Sequence, residues 1–95
     1  MTIDVRALRC FLAVCAAQSM TRAAEAMHMA QPAISMQIKN LEAELGVVLF
    51  ERNKRGTRLT PAGRRFEQRA HALLASLQHA VDEVRGLDAR PAGPV

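Results

Sequence analysis

The sequence predicts a mainly α-helical fold with a small β-hairpin and one long C-terminal helix, and three observations predict it. Between Thr21 and Leu45, the small residues Ala23 and Ala24 precede a short break, after which Ile34, Ile38, Leu41 and Leu45 recur on one helical stripe. Next, the β-prone runs Val47 to Arg52 and Arg58 to Thr60 flank the polar, Gly-containing turn Asn53-Lys54-Arg55-Gly56-Thr57. Beyond Pro61, the residues Phe66, Ala70, Leu73, Leu77, Ala80, Val84 and Leu87 alternate spacings of four and three, which is a heptad seam. Two helices joined by a tight turn and followed by a basic hairpin make a winged helix-turn-helix.

Each element has its own justification. Asp4 is a suitable N-cap for a first helix whose stripe is Leu8, Phe11, Leu12 and Cys15. Phe11 is its keystone, because the chain holds three Phe and no Trp or Tyr. Gln18 to Met20 connects to the first helix of the pair, Thr21 to about His28, and Met27 and Met29 flank the following turn as apolar anchors. That turn lacks Gly, so His28 or Met29 takes its place, at some conformational cost unless His28 accepts the left-handed region. Ala30 offers no side-chain acceptor to the second helix, whereas Pro32 suits its first turn. The buried stripe leaves Pro32, Ser35, Met36 and Lys39 on the opposite face, free to read a ligand. Gly46 reads as a left-handed C-cap.

Thr60 and Pro61 supply a cap and a first-turn proline for the last helix, which is expected to run to about Arg85 with Leu74 and Val81 widening its apolar face. A helix this long cannot lie wholly on a head of roughly 60 residues, so its far half calls for another chain, the alternative being a helix folded back on its own head. Gly86, Pro91, Gly93 and Pro94 mark a flexible end. The expected division is therefore a winged helix-turn-helix head over 1–60, a linker and dimerisation helix over 61–87, and a tail over 88–95.

Ninety-five residues suit one small domain and an extra helix, and leave no room for an enzyme of ordinary size. No carboxylate pair, nucleophile–base set or phosphate-binding Gly loop is visible, so no enzymatic activity and no cofactor are expected. The net charge of +4 hides an asymmetry: Arg52, Lys54, Arg55, Arg58, Arg64, Arg65 and Arg69 against Glu67 give +6, which leaves −2 for the rest. Such a concentration suits a polyanion, since each phosphate neutralised releases counterions. The second helix could then enter a major groove while Lys54, Arg55 or Arg58 approaches phosphates or the adjacent minor groove. Taken singly, the helix pair could be an αα-hairpin in an ordinary core and the charge run a solvated face. A helical module binding an acidic protein is the competing reading, distinguished by its indifference to DNA sequence.

Cys10 and Cys15 point to different faces of one helix and form neither a metal pair nor a local disulfide, which suits reduced core thiols in the cytoplasm. His28, His71 and His79 lack zinc-ligand spacing, so no metal site is expected. No apolar run approaches a membrane span, and the N-terminus has no signal-peptide pattern.

The strings A-A-E-A, Q-P-A-I-S, Q-I-x-x-L-E, L-F-E-R and L-T-P-A-G, all between Ala23 and Gly63, are specific in combination. From Val5 to about Val84 the chain resembles the N-terminal DNA-binding domain of LysR-type transcriptional regulators. The resemblance implies a winged helix-turn-helix and a linker helix through which two subunits pair on an inverted-repeat site of double-stranded DNA. It places Gln31, Pro32, Ser35, Met36 and Gln37 at the DNA-contacting start of the recognition helix, and Arg52 and Arg55 in the wing. With the outward Lys39 and the basic Lys54 and Arg58, these are the expected DNA-binding residues. Phe66, Ala70, Leu73, Leu74, Leu77, Ala80, Val81 and Val84 are the expected homodimer seam. Two departures stand out: Met36 where many members carry Arg, and Ala30 where Ser or Thr is common. The family's effector domain is absent, so the chain reads as a piece of a longer regulator, the alternative being a naturally short protein.

Overall fold

Asp4 starts the first helix in extended backbone (φ −131°, ψ 179°), and its Oδ1 accepts a hydrogen bond from the Ala7 amide at 2.8 Å, satisfying a donor the first turn leaves free. The computed structural model describes residues 1–89, of which 87–89 are described as helical backbone alone. Helix α1 (Val5–Ala17) ends at Gln18, which turns left-handed (φ 53°) and donates its N–H to the Val14 carbonyl at 2.8 Å. The hydroxyl of Ser19 then accepts from the Arg22 amide at 3.1 Å and opens α2 (Met20–Met27). This helix begins one residue before the expected Thr21, because the cap fixes its start and Met20 can be buried there. His28 does enter the left-handed region (φ 56°), closing α2 and making the turn into α3 (Gln31–Leu45). Ala30 gives α3 no side-chain cap, and Gly46 (φ 72°) ends it.

The core forms where these helices cross. Phe11, Val14, Cys10, Ala23, Ile34 and Leu49 are fully buried, with Leu8, Ile38 and Leu41 nearly so. All three phenylalanines meet: the Phe11 ring lies 5.3 Å from that of Phe50 and 5.1 Å, edge on, from that of Phe66. The buried face of α1 is wider than the expected stripe, for Cys10 and Val14 are fully enclosed while Leu12 and Cys15 are half-buried. The reason is that α1 is packed by α2, α3, the hairpin and the last helix together, so no single stripe serves it.

Strands β1 (Phe50–Asn53) and β2 (Gly56–Leu59) pair antiparallel, with Phe50 opposite Leu59 and Asn53 opposite Gly56. Both overlap the expected runs 47–52 and 58–60 but are shifted toward the hairpin tip. Val47 and Val48 have no strand partner, and the next two amides, of Leu49 and Phe50, go instead to the Glu42 carboxylate at 2.7 and 3.3 Å. At the tip Gly56 carries the positive φ (124°).

The string Leu59-Thr60-Pro61-Ala62-Gly63 ties hairpin to helix. Thr60 Oγ1 donates to the Val48 carbonyl at 2.6 Å and accepts from the Gly63 amide at 2.9 Å. Gly63 packs so close that a Cβ there would collide with the Leu49 carbonyl, which is why this position holds no side chain. The last helix, α4 (Pro61–Ala89), continues past the expected end at Arg85 and through Gly86. A helical Gly costs only about 1 kcal/mol relative to Ala, too little to end a helix this long. Pro91, Gly93 and Pro94, and most of the expected tail, lie outside the described residues. At about 1.5 Å per residue, α4 is ~43 Å long and accounts for most of the 59 Å length of the molecule.

Candidate nucleic-acid interface

A helix presents one arc of its surface when the opposite arc is buried, and α3 has Ile34, Ile38 and Leu41 locked in the core. Gln31, Pro32, Met36 and Lys39 are consequently exposed, Met36 by 56%. Gln31 Nε2 donates to Ser35 Oγ at 3.2 Å, one turn along, so the two polar side chains at the start of α3 are held as a pair. With no side chain capping Ala30, the partial positive charge at this end of α3 has no side-chain partner, a setting that suits an anionic oxygen.

Ser35 is half-buried, and so is Gln37, which the family resemblance places among the DNA-contacting residues. It turns toward the start of α1, where it lines a small cavity with Asp4, Ala7 and Asn40. At about 100° per residue it falls on the flank of α3, well round from Met36. The N-terminal segment is pinned nearby: Thr2 donates through Oγ1 (2.6 Å) and its amide (3.3 Å) to Glu44, and these bonds hold the Glu44 carboxyl below the usual carboxylate range.

The hairpin carries the other cations. Arg52, Lys54, Arg55 and Arg58 are all exposed. Asn53 Oδ1 accepts from the Arg55 amide at 2.8 Å and so shapes the tip. Arg58 stands directly opposite Glu51 across the ladder, which offsets part of its charge, whereas Arg52 stands opposite the buried Thr57. Sequence reasoning missed two residues here. Glu42 fixes the segment leading into β1, and Arg22 shares a shallow cleft with Lys54 and Arg55 at the wing tip. Neither is visible in spacing, since both depend on how distant segments dock.

The seam on α4 divides in two. Ala70 is fully buried, and Phe66 and Leu74 pack against the head's own core, so these three are engaged within the chain. Leu73 (55%), Leu77 (45%) and Val84 (64%) are exposed, as is Ala80, while Val81 is half-buried. Beside Phe66, Leu45, Val47 and Leu49 line an open apolar groove edged by Arg65 and Arg69.

Both cysteines are free. Burial, reinforced by the nearby Glu67 carboxylate, pushes the Cys15 thiol up to about 12, and burial also raises Cys10, so both are protonated thiols at neutral pH. Among the described residues, no three His, Cys, Asp or Glu side chains come together as a metal site, and no helix is long and apolar enough to cross a membrane.

Residues 5–64 match the family described as bacterial regulatory helix-turn-helix protein, lysR family. The chain is 47% identical over 92 residues to the HTH-type transcriptional regulator BsdA of Bacillus subtilis, an alignment covering 96% of this chain and 32% of BsdA. It is 46% identical over 79 residues to the regulator BenM of Acinetobacter baylyi, covering 83% of this chain and 26% of BenM. It thus spans about a third or less of the length of these two relatives. Among solved structures, a complex of the CbnR DBD with DNA superposes with a TM-score of 0.87 at 41% identity, covering 90% of this chain and 99% of that one. A complex of the BenM DBD with benA site 1 DNA gives 0.87 at 41% identity, covering 92% and 98%. The family match covers well over half of the chain, and the chain belongs to the LysR family of bacterial regulatory helix-turn-helix proteins.

Proposed function

We propose that this chain is the sequence-specific DNA-binding part of a transcriptional regulator, with α3 in the major groove and the basic wing at the adjacent minor groove and backbone. The observation that carries this reading is the start of α3, where Gln31, Pro32, Met36 and Lys39 are uncovered while the opposite face is locked in the core. The similar CbnR and BenM domains are each in complex with DNA, which supports it. In this reading the chain acts in the bacterial cytoplasm and has no catalytic role.

The chain pairs with a second copy through α4 and reads an inverted repeat. Exposed Leu73, Leu77 and Val84 continue the apolar groove at Phe66, a surface that is buried only by another helix. An antiparallel arrangement centred on Ala75 would set Leu73 against Leu77 of the second copy.

Gln31→Ala tests the reading. On a duplex selected from random-sequence DNA it should lose roughly 1–3 kcal/mol of affinity, and much less on unselected duplex, if the amide reads a base edge. Equal losses on both, in a fluorescence-anisotropy titration, would assign Gln31 to the backbone instead. Met36→Arg should tighten binding to both duplexes and steepen the salt dependence, since an exposed guanidinium replaces an exposed thioether. Weaker binding to the selected duplex would show that Met36 makes an apolar contact of its own, such as one to a thymine methyl.

A further inference from the structure

The wing tip and the start of α2 are far apart in the chain yet joined in space by the left-handed turn at Gln18. The Gln18 carbonyl accepts from the Thr57 amide at 3.2 Å, and Gly56 approaches the same carbonyl so closely that a Cβ would stand 2.9 Å from it. Wing and turn are thereby fixed to each other as backbone, not through flexible side chains. On this junction lies a shallow cleft lined by Gln18, Ser19, Arg22, Lys54, Arg55 and Gly56. Its three cations are exposed, and no acidic side chain lines the cleft. Arg22 is held in the first turn of α2 by the Ser19 cap on its own amide, and Arg55 by the Asn53 carboxamide on its amide. Two independent caps therefore fix the backbone of the two elements from which these side chains reach the cleft.

Three convergent cations on rigid backbone suit a single tetrahedral dianion or phosphodiester, which a planar guanidinium can grip through two donors while an ammonium adds a point charge. The position suits a strand of duplex DNA. Helix α2 has eight residues, so the cleft stands ~12 Å along α2 from the turn into α3, about the width of the major groove that α3 would occupy. We infer that Arg22, with Lys54 and Arg55, clamps one backbone phosphate at the edge of that groove and so sets the register of α3 on the bases. The inference rests on the DNA-binding reading above, and it gives Arg22 a positioning role: it holds the backbone and reads no base.

The test is a phosphate scan. The full chain, Arg22→Ala and Arg22→Lys are titrated against a duplex selected from random-sequence DNA, against unselected duplex, and against a series of selected duplexes each carrying one neutral methylphosphonate. Arg22 is exposed and α2 accepts Ala readily, so the fold is retained, and thermal melts check this. Arg22→Ala should weaken binding to selected and unselected duplex by the same factor, roughly three- to tenfold near 0.1 M salt, and flatten the log–log salt slope by about one. Arg22→Lys should recover most of the slope. One methylphosphonate position should weaken the unaltered chain and leave Arg22→Ala unaffected. An unchanged salt slope, a loss confined to the selected duplex, or identical methylphosphonate profiles for the unaltered chain and Arg22→Ala would each overturn the clamp while leaving the DNA-binding reading intact. Failure of the unaltered chain to bind any duplex would overturn both.

Discussion

Phe11→Ala should leave the head largely unfolded at ordinary temperature. Phe11 is fully buried and its ring is the one that packs against both Phe50 of the hairpin and Phe66 of α4, so it joins three elements. Truncating a buried Phe costs about 3–5 kcal/mol through lost transfer energy and the cavity left behind. A domain this small sits near the low end of the usual ~5–15 kcal/mol of stability, because it buries a smaller share of its surface than a larger one. The loss should appear in urea titrations as a much lower midpoint, or as no folded baseline at all, and DNA binding should fall with the folded fraction. Leu12→Ala, at a half-buried position on the same helix, should cost distinctly less. Equal costs at the two positions would show that the aromatic cluster does not organise the head.

Leu73→Asp combined with Leu77→Asp should give a folded monomer that has lost the full-site affinity of the pair. Both side chains are about half exposed in the single chain, so the head built on Phe11, Ile34, Ile38 and Leu41 does not depend on them. A Leu buried in a helix seam contributes on the order of 2–5 kcal/mol, and two carboxylates there would add the penalty of burying charge. Without pairing, each head must bind its half-site alone and the gain from effective concentration disappears. Analytical ultracentrifugation should therefore show a monomer, with an unchanged melt of the head and a steep loss on an inverted repeat but not on a half-site. An unaltered chain already monomeric well above its DNA-binding concentration would contradict the pairing, as would a double variant that binds the repeat undiminished.

The helices and their order were legible because they are written locally. Asp4, Pro32, Gly46 and Thr60 mark ends through cap chemistry, and the 3.6-residue period names Ile34, Ile38 and Leu41 as core. The lack of Gly narrowed the left-handed position of the turn to His28 or Met29, and His28 takes it. What escaped is non-local. Gln18 has no intrinsic preference for the left-handed region, and its conformation follows from α1 having to end where the Ser19 cap begins α2. The strands shifted because β propensity at Val47 and Val48 finds no partner, while the Glu42 side chain holds the backbone that follows. The heptad pattern of α4 does not say what buries each position: Phe66, Ala70 and Leu74 are taken up by α1 and the head, while Leu73, Leu77 and Val84 remain exposed. In the candidate site, Pro32, Met36 and Lys39 are exposed on the face that helical periodicity gives them, Gln37, placed in the site by the family resemblance, lies on the flank that the same periodicity gives it, and Arg22 joins the wing cations through a docking that no spacing encodes.

The central claim, that the uncovered start of α3 reads DNA sequence while the cations hold its backbone, is tested most directly by selecting duplexes from a random-sequence pool. The affinity of the chain for the selected duplex and for the starting pool is then measured across salt concentrations. The account predicts an enriched inverted repeat, bound at least about a thousandfold more tightly than the pool, with affinity for both falling steeply as salt rises. No enriched sequence, or equal affinity for the selected duplex and the pool at every salt concentration, would contradict it.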